Sequence, residues 1–148
     1  LIAVIYLSRT GNTEKLARWI AEEIKRTGLS VELFRLEEFD QENIDKLEGL
    51  AAGTFTWGSG DVPESFLSFL NRISEKERDL VTGVFGTGDS FYPHFCGAVT
   101  QMQKVFFRST DLAASLKVEL APQQQDRERC RKFAEVFKQR IIRKSSRQ

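Results

Sequence analysis

Four stretches of the chain are short, apolar and closed at both ends by turn or capping residues: Leu1–Leu7, Val31–Leu36, Leu80–Phe85 and Leu112–Leu120. That pattern predicts buried strands. Between them, apolar residues recur every three or four positions: Leu16, Ile20 and Ile24, then Phe66, Leu70 and Ile73, then Val99, Met102 and Phe106. Each set gives a helix one apolar face, and Cys130, Phe133, Ala134, Phe137 and Ile141 do the same for a last helix. A fifth strand is expected near Leu50–Phe55, where Gly49, Ala51, Ala52 and Gly53 offer little bulk, as if helices packed close on the sheet there. Strands alternating with helices, with no hairpin signal, predict a parallel sheet covered on both faces. Right-handed crossovers then give an open doubly wound sheet that binds its ligand at the carboxyl ends of the strands, near the switch in strand order.

That rule singles out three loops. Ser8-Arg9-Thr10-Gly11-Asn12-Thr13 follows a buried strand and opens a helix with hydroxyls, one glycine and free backbone amides. Such a loop suits a phosphate, since helix N-terminal amides and Ser/Thr hydroxyls donate to its oxygens and the helix dipole favours its charge. The lysine of a Walker loop is missing, as is the G-x-G-x-x-G of a dinucleotide site. A plain helix cap would use some of the same residue types. The second loop, Thr54-Phe55-Thr56-Trp57-Gly58-Ser59-Gly60-Asp61-Val62-Pro63, sets glycines beside an indole that can stack on a flat ligand, or can instead fill the core. The third, Gly86-Thr87-Gly88-Asp89-Ser90-Phe91-Tyr92-Pro93-His94-Phe95-Cys96-Gly97-Ala98, crowds aromatic residues into a loop tip. Its His94 is the sole histidine and reads as an exposed or helix-start residue, because no paired Ser, Cys or carboxylate motif completes a triad.

Composition narrows the picture. The 148 residues suit one domain, frayed at 145–148, and no apolar run approaches the roughly 20 residues of a membrane span. Leu1–Leu7 reads as a strand rather than a signal peptide, so a cytoplasmic protein is expected. Cys96 and Cys130 each stand alone, outside any metal motif, and read as reduced thiols packed as small apolar groups. The net charge of +1 hides nine basic and three acidic side chains from residue 126 onward, against 13 and 18 before it. A basic amphipathic tail can meet nucleic acid or lipid, yet it is more often a solvated face.

Together the three loops and the segment Leu116-Lys117-Val118-Glu119-Leu120 resemble the short-chain flavodoxins over nearly the whole chain. The resemblance implies a flavodoxin-like three-layer sandwich with a five-stranded parallel sheet in the order 2-1-3-4-5. It also implies flavin mononucleotide (FMN) as cofactor. The family pattern T/S-x-T-G-N-T matches residues 8 to 13, so Ser8, Thr10, Asn12 and Thr13, with the loop amides from Arg9 to Gly11, would bind the phosphate. Trp57 and Tyr92 fall where the family sandwiches the isoalloxazine ring. Thr54, Phe55, Thr56, Gly58, Ser59, Gly60, Gly86, Thr87, Gly88, Asp89, Phe95 and Cys96 would line the cofactor as well. In the family, stacking and an electron-rich surround disfavour the anionic hydroquinone, and a peptide like Gly58–Ser59 can flip its carbonyl toward the semiquinone N5–H. The implied function is a monomeric carrier of single electrons between proteins, with a flavodoxin/ferredoxin reductase as donor and acceptors such as a cytochrome P450 or other reductases. Neither nucleic acid nor membrane is an expected partner.

Two departures stand out. Many relatives carry an acidic residue where Ser59 stands, and the family is strongly acidic where this chain is near neutral. Weaker negative charge around the ring would make the hydroquinone couple less negative, while Asp61, Glu64 and Asp89 leave docking to a basic reductase plausible. Three other functions compete: a flavin-dependent quinone reductase, which needs an open pocket beside the ring; the flavodoxin-like activator of a manganese ribonucleotide reductase; and a flavin-free nucleic-acid-binding domain led by the basic helix.

Overall fold

The computed structural model describes residues 1–58, 60–91 and 95–147. Five strands, β1 (Ile2–Leu7), β2 (Glu32–Arg35), β3 (Gly49–Phe55), β4 (Val81–Gly88) and β5 (Asp111–Glu119), form one sheet in the order β2-β1-β3-β4-β5, every neighbouring pair parallel. Helices α1 (Asn12–Arg26), α2 (Glu64–Ser74), α3 (Gly97–Ser109) and α4 (Gln124–Ser145) connect or follow the strands, and two 3₁₀ turns at Leu36–Glu38 and Gln41–Lys46 lead into β3. Fold class, strand order and the apolar helix faces agree with the expectation from sequence.

Side-chain alternation along each strand sorts the core into two layers. Ala3 and Ile5 of β1, Leu50 and Ala52 of β3 and Val84 of β4 pack against Phe66, Phe69 and Leu70 of α2 and Val99, Met102 and Phe106 of α3. Val4, Tyr6, Ala51, Val81 and Phe85 face the other way, onto Leu16, Ile20 and Ile24 of α1 and Phe133, Phe137 and Ile141 of α4. Gly49 of β3 has the purpose expected of the small residues there, and Gly83 of β4 shares it. A Cβ on Gly49 would lie 2.7 Å from Ile141 Cδ1, and one on Gly83 would lie 2.5 Å from the Phe133 ring, so α4 rests directly on backbone. Cys96 and Cys130 are both free and buried. Burial pushes the Cys96 thiol up to about 11 and Cys130 to about 12, which leaves both neutral and inert.

One boundary moved by more than a residue. The apolar run predicted that β4 ends at Phe85, but the ladder continues through Gly86, Thr87 and Gly88, paired with Lys117, Val118 and Glu119 of β5. Pairing with a neighbour on each side outweighs the weak strand preference of glycine. Among the described residues no helix is long and apolar enough to cross a membrane.

Candidate functional site

Parallel pairing delivers the ends of β1, β3 and β4 to one edge of the sheet, and the register fixes what meets there. Leu7 pairs with Thr54, and Thr54 with Gly86. The residues just beyond these pairs line a cavity of about 630 Å³: Arg9, Thr10 and Asn12; Phe55, Thr56, Trp57, Gly58 and Gly60; Thr87, Gly88, Asp89 and Cys96. Leu120, one residue past β5, closes the far side. The volume falls within the roughly 300–1,000 Å³ typical of small-molecule sites.

The loop after β1 is shaped by the start of α1. Gly11 precedes the helix at φ 96°, a left-handed conformation that side chains resist. Its amide and that of Glu14 both donate to Ser8 Oγ, each at 3.2 Å, so the Ser8 hydroxyl braces the loop and keeps its own proton to donate. The amides of Thr10, Asn12 and Thr13 find no acceptor among the described residues. Thr13 is buried, its hydroxyl 2.8 Å from that of Thr87, which ties the helix start to β4. Three unspent amides at a helix N-terminus, with the Thr10 and Asn12 side chains beside them, are an anion-binding donor set.

The loop after β3 is a small closed turn. Trp57 and Asp61 form an antiparallel bridge, with Trp57 N to Asp61 O and Asp61 N to Trp57 O both 2.8 Å. Gly58 sits at φ 53°, again a conformation suited to glycine. The turn leans on the start of α3, where a Cβ on Gly97 would lie 2.5 Å from Gly60 O. Trp57 remains 50% exposed although its loop is pinned, an indole presented rather than packed. The Arg9 guanidinium lies over it, 5.1 Å from the ring centroid, and 5.6 Å from that of Phe55.

In the loop after β4, Asp89 Oδ1 accepts from the Phe91 amide at 2.9 Å, and the Phe91 ring is 94% exposed. Phe95 turns inward against the core, so the aromatic crowding divides between solvent and interior. Cys96 adopts a left-handed φ of 49° and contributes to the cavity wall with its side chain buried.

Of the residues singled out from sequence, Ser8, Gly11 and Thr13 stand behind the first loop as supports. Thr54 and Gly86 are buried strand-end positions that set the register. Asp61 and Glu64 are exposed near the second loop. Ser59, Tyr92 and His94 lie outside the described residues, so the second stacking position is not placed. Sequence reasoning missed Leu120, the contact of Gly97 with Gly60 and the aromatic seat of Arg9. The strand-end rule extended to β5 would have found Leu120, whereas the other two depend on register between distant segments.

This fold and site define a class: doubly wound α/β proteins with an anion-binding donor set at the first helix and an aromatic loop across one cavity. Residues 4–133 match the flavodoxin family, and the chain belongs to that family. It is 33% identical over 139 residues to a probable flavodoxin 1 of Bacillus subtilis, covering 90% of this chain and 87% of that one. The crystal structure of oxidised flavodoxin 1 from Bacillus cereus superposes with a TM-score of 0.83 at 31% identity, covering 93% of this chain and 97% of the other. A sulfite reductase [NADPH] flavoprotein alpha-component of Mannheimia succiniciproducens matches at 30% identity over 109 residues, 71% of this chain but 18% of that protein.

Proposed function

We propose that the cavity holds FMN, with its phosphate on the Thr10, Asn12 and Thr13 amides and its ring against Trp57, and that the chain passes single electrons between proteins. When bound, the flavin supplies the redox chemistry, since it accepts and releases electrons one at a time. The residues present fit it. The unspent amides of the first loop suit a phosphate, the indole suits a planar ring, and the cavity between them has room for both. The protein's part is to bind, orient and tune. Ser8 braces the amide loop through Gly11, the backbone bridge of Trp57 with Asp61 pins the turn that carries the indole, and Gly58 and Gly60, which line the cavity, would lie beside the ring.

The observation that carries this reading is the pairing of unspent helix-start amides with a half-exposed tryptophan in one cavity. Among the described residues no helix is long and apolar enough to cross a membrane and no cluster of His, Cys, Asp and Glu could hold a metal ion. We further propose a monomer in the cytoplasm. Its donor would be a flavodoxin/ferredoxin reductase type of flavoprotein, and its acceptors other redox proteins such as a cytochrome P450. Support for a reductase as donor comes from the match to one segment of a much longer NADPH-dependent flavoprotein. Asp61, Asp89 and Glu64 would supply the acidic side of that docking surface.

The test is a titration of apo-protein with FMN followed by backbone amide chemical shifts. Large shifts confined to Thr10–Thr13, Thr56–Gly60 and Gly86–Asp89 are expected. Binding that instead moves amides along α4 would refute the assignment.

A further inference from the structure

The register that pairs Leu7 with Thr54 places Arg9, two residues past β1, beside Phe55 and Trp57 at the end of β3. Its guanidinium occupies the corner between these two rings, which meet edge to face with centroids 6.2 Å apart. A planar guanidinium over aromatic faces is a stable cation–π arrangement. Among the described residues no ion pair holds Arg9, although Glu14 and Glu37 line a neighbouring pocket with it. Nearby Glu14 pairs with Arg18, and Glu37 and Glu38 pair with Arg35, while Arg9 meets no carboxylate among the described residues. Arg9 belongs to the phosphate-loop sequence, yet its side chain is committed to the aromatic end of the cavity.

We propose that Arg9 is a positioning and charge-tuning residue for the ring end of the site: it orients Trp57 for stacking and makes the second of two one-electron reductions less negative. This rests on the FMN reading above. Both electrons come from a protein donor of the reductase class. The fully reduced cofactor carries the added negative charge, and a cation on the neighbouring indole stabilises it over the less reduced forms. Phosphate binding is a different role, which the same residue would fill only by leaving its aromatic seat.

The experiment compares wild type, Arg9→Gln and Arg9→Lys for affinity toward FMN and phosphate-free riboflavin, and for the potential of each one-electron couple at low and high salt. In R9Q the second couple is expected to shift to more negative values by about tenfold in its equilibrium constant, which is about 59 mV for one electron. FMN and riboflavin affinities should fall together by a few-fold, and added salt should shrink the difference in potential. R9K should keep most of the wild-type potential. An R9Q couple equal to wild type overturns the proposal, and so does an affinity loss confined to FMN. An R9K couple as negative as that of R9Q overturns the charge argument. If wild-type apo-protein takes up no FMN, the functional reading fails together with this one; if it binds FMN and R9Q changes nothing, Arg9 alone is wrong.

Discussion

The two ends of the cavity are built in opposite ways. At the phosphate end, the loop from Ser8 to Thr13 is held from behind: Ser8 accepts two backbone amides, Thr13 is buried against Thr87, and the outward amides are those every helix start leaves over. At the ring end, the turn from Trp57 to Asp61 is closed by its own hydrogen bonds, and its largest side chain faces solvent and a single guanidinium. The helix-start end is thus a by-product of folding, whereas the Trp57 end leaves its indole half open to a ligand. It follows that damage at the first should cost stability and phosphate recognition together, while damage at the second should cost ring affinity alone.

The largest expected effect is at the support of the phosphate end. Thr13→Val removes one member of a buried hydroxyl pair and leaves Thr87 without its partner, which costs about 1–3 kcal/mol of unfolding free energy. Denaturant titration checks the stability, and FMN affinity should fall more than riboflavin affinity. Next comes Gly11→Ala. Open space surrounds the position, yet the left-handed φ costs about 1–2 kcal/mol for a residue with a Cβ. Unchanged stability there would mean the loop relaxes freely, and the contrast between the two ends would blur.

Trp57→Ala sharpens the comparison from the other side. Loss of stacking should weaken FMN and riboflavin equally, by about 0.5–1.5 kcal/mol, with little change in the denaturation midpoint because the indole is half exposed. A loss selective for FMN would show that the indole serves the phosphate end.

The smallest effect concerns the stability of the whole fold at high pH. Burial raises Cys96 and Cys130 to about 11 and 12, and burial with a hydrogen bond to Glu14 raises Tyr6 to about 12. Each group favours its neutral form in the folded state. The stability this contributes is complete below the unfolded values, about 8.5 for cysteine and about 10 for tyrosine, and is lost as pH rises toward the folded ones. The denaturation midpoint should therefore hold from neutral pH to about pH 8.5 and decline from there toward about pH 11. A constant midpoint over that window would contradict the burial of the thiols.

How much of this was legible in the sequence follows from the range of the interactions. The strands announced themselves as apolar runs, the helices through residues such as Leu16, Ile20 and Ile24, and the glycines of β3 through their lack of bulk; all are local signals. The phosphate loop was legible because its donors belong to one helix start. What the sequence hid depends on register between distant segments: the extension of β4 to Gly88, the meeting of Thr13 with Thr87, the seat of Arg9 beside Trp57 and the closure of the cavity by Leu120. Ser8 shows the same limit at short range, since the residue type announced a phosphate ligand while the geometry spends its oxygen on the loop itself.

A single potentiometric titration bears most directly on the whole account: apo-protein is loaded with FMN, freed of excess and reduced stepwise with dithionite while the visible spectrum is recorded. Two resolved one-electron couples on a tightly held yellow chromophore are predicted. A protein that stays colourless, or a flavin that takes both electrons in one unresolved step, would contradict it.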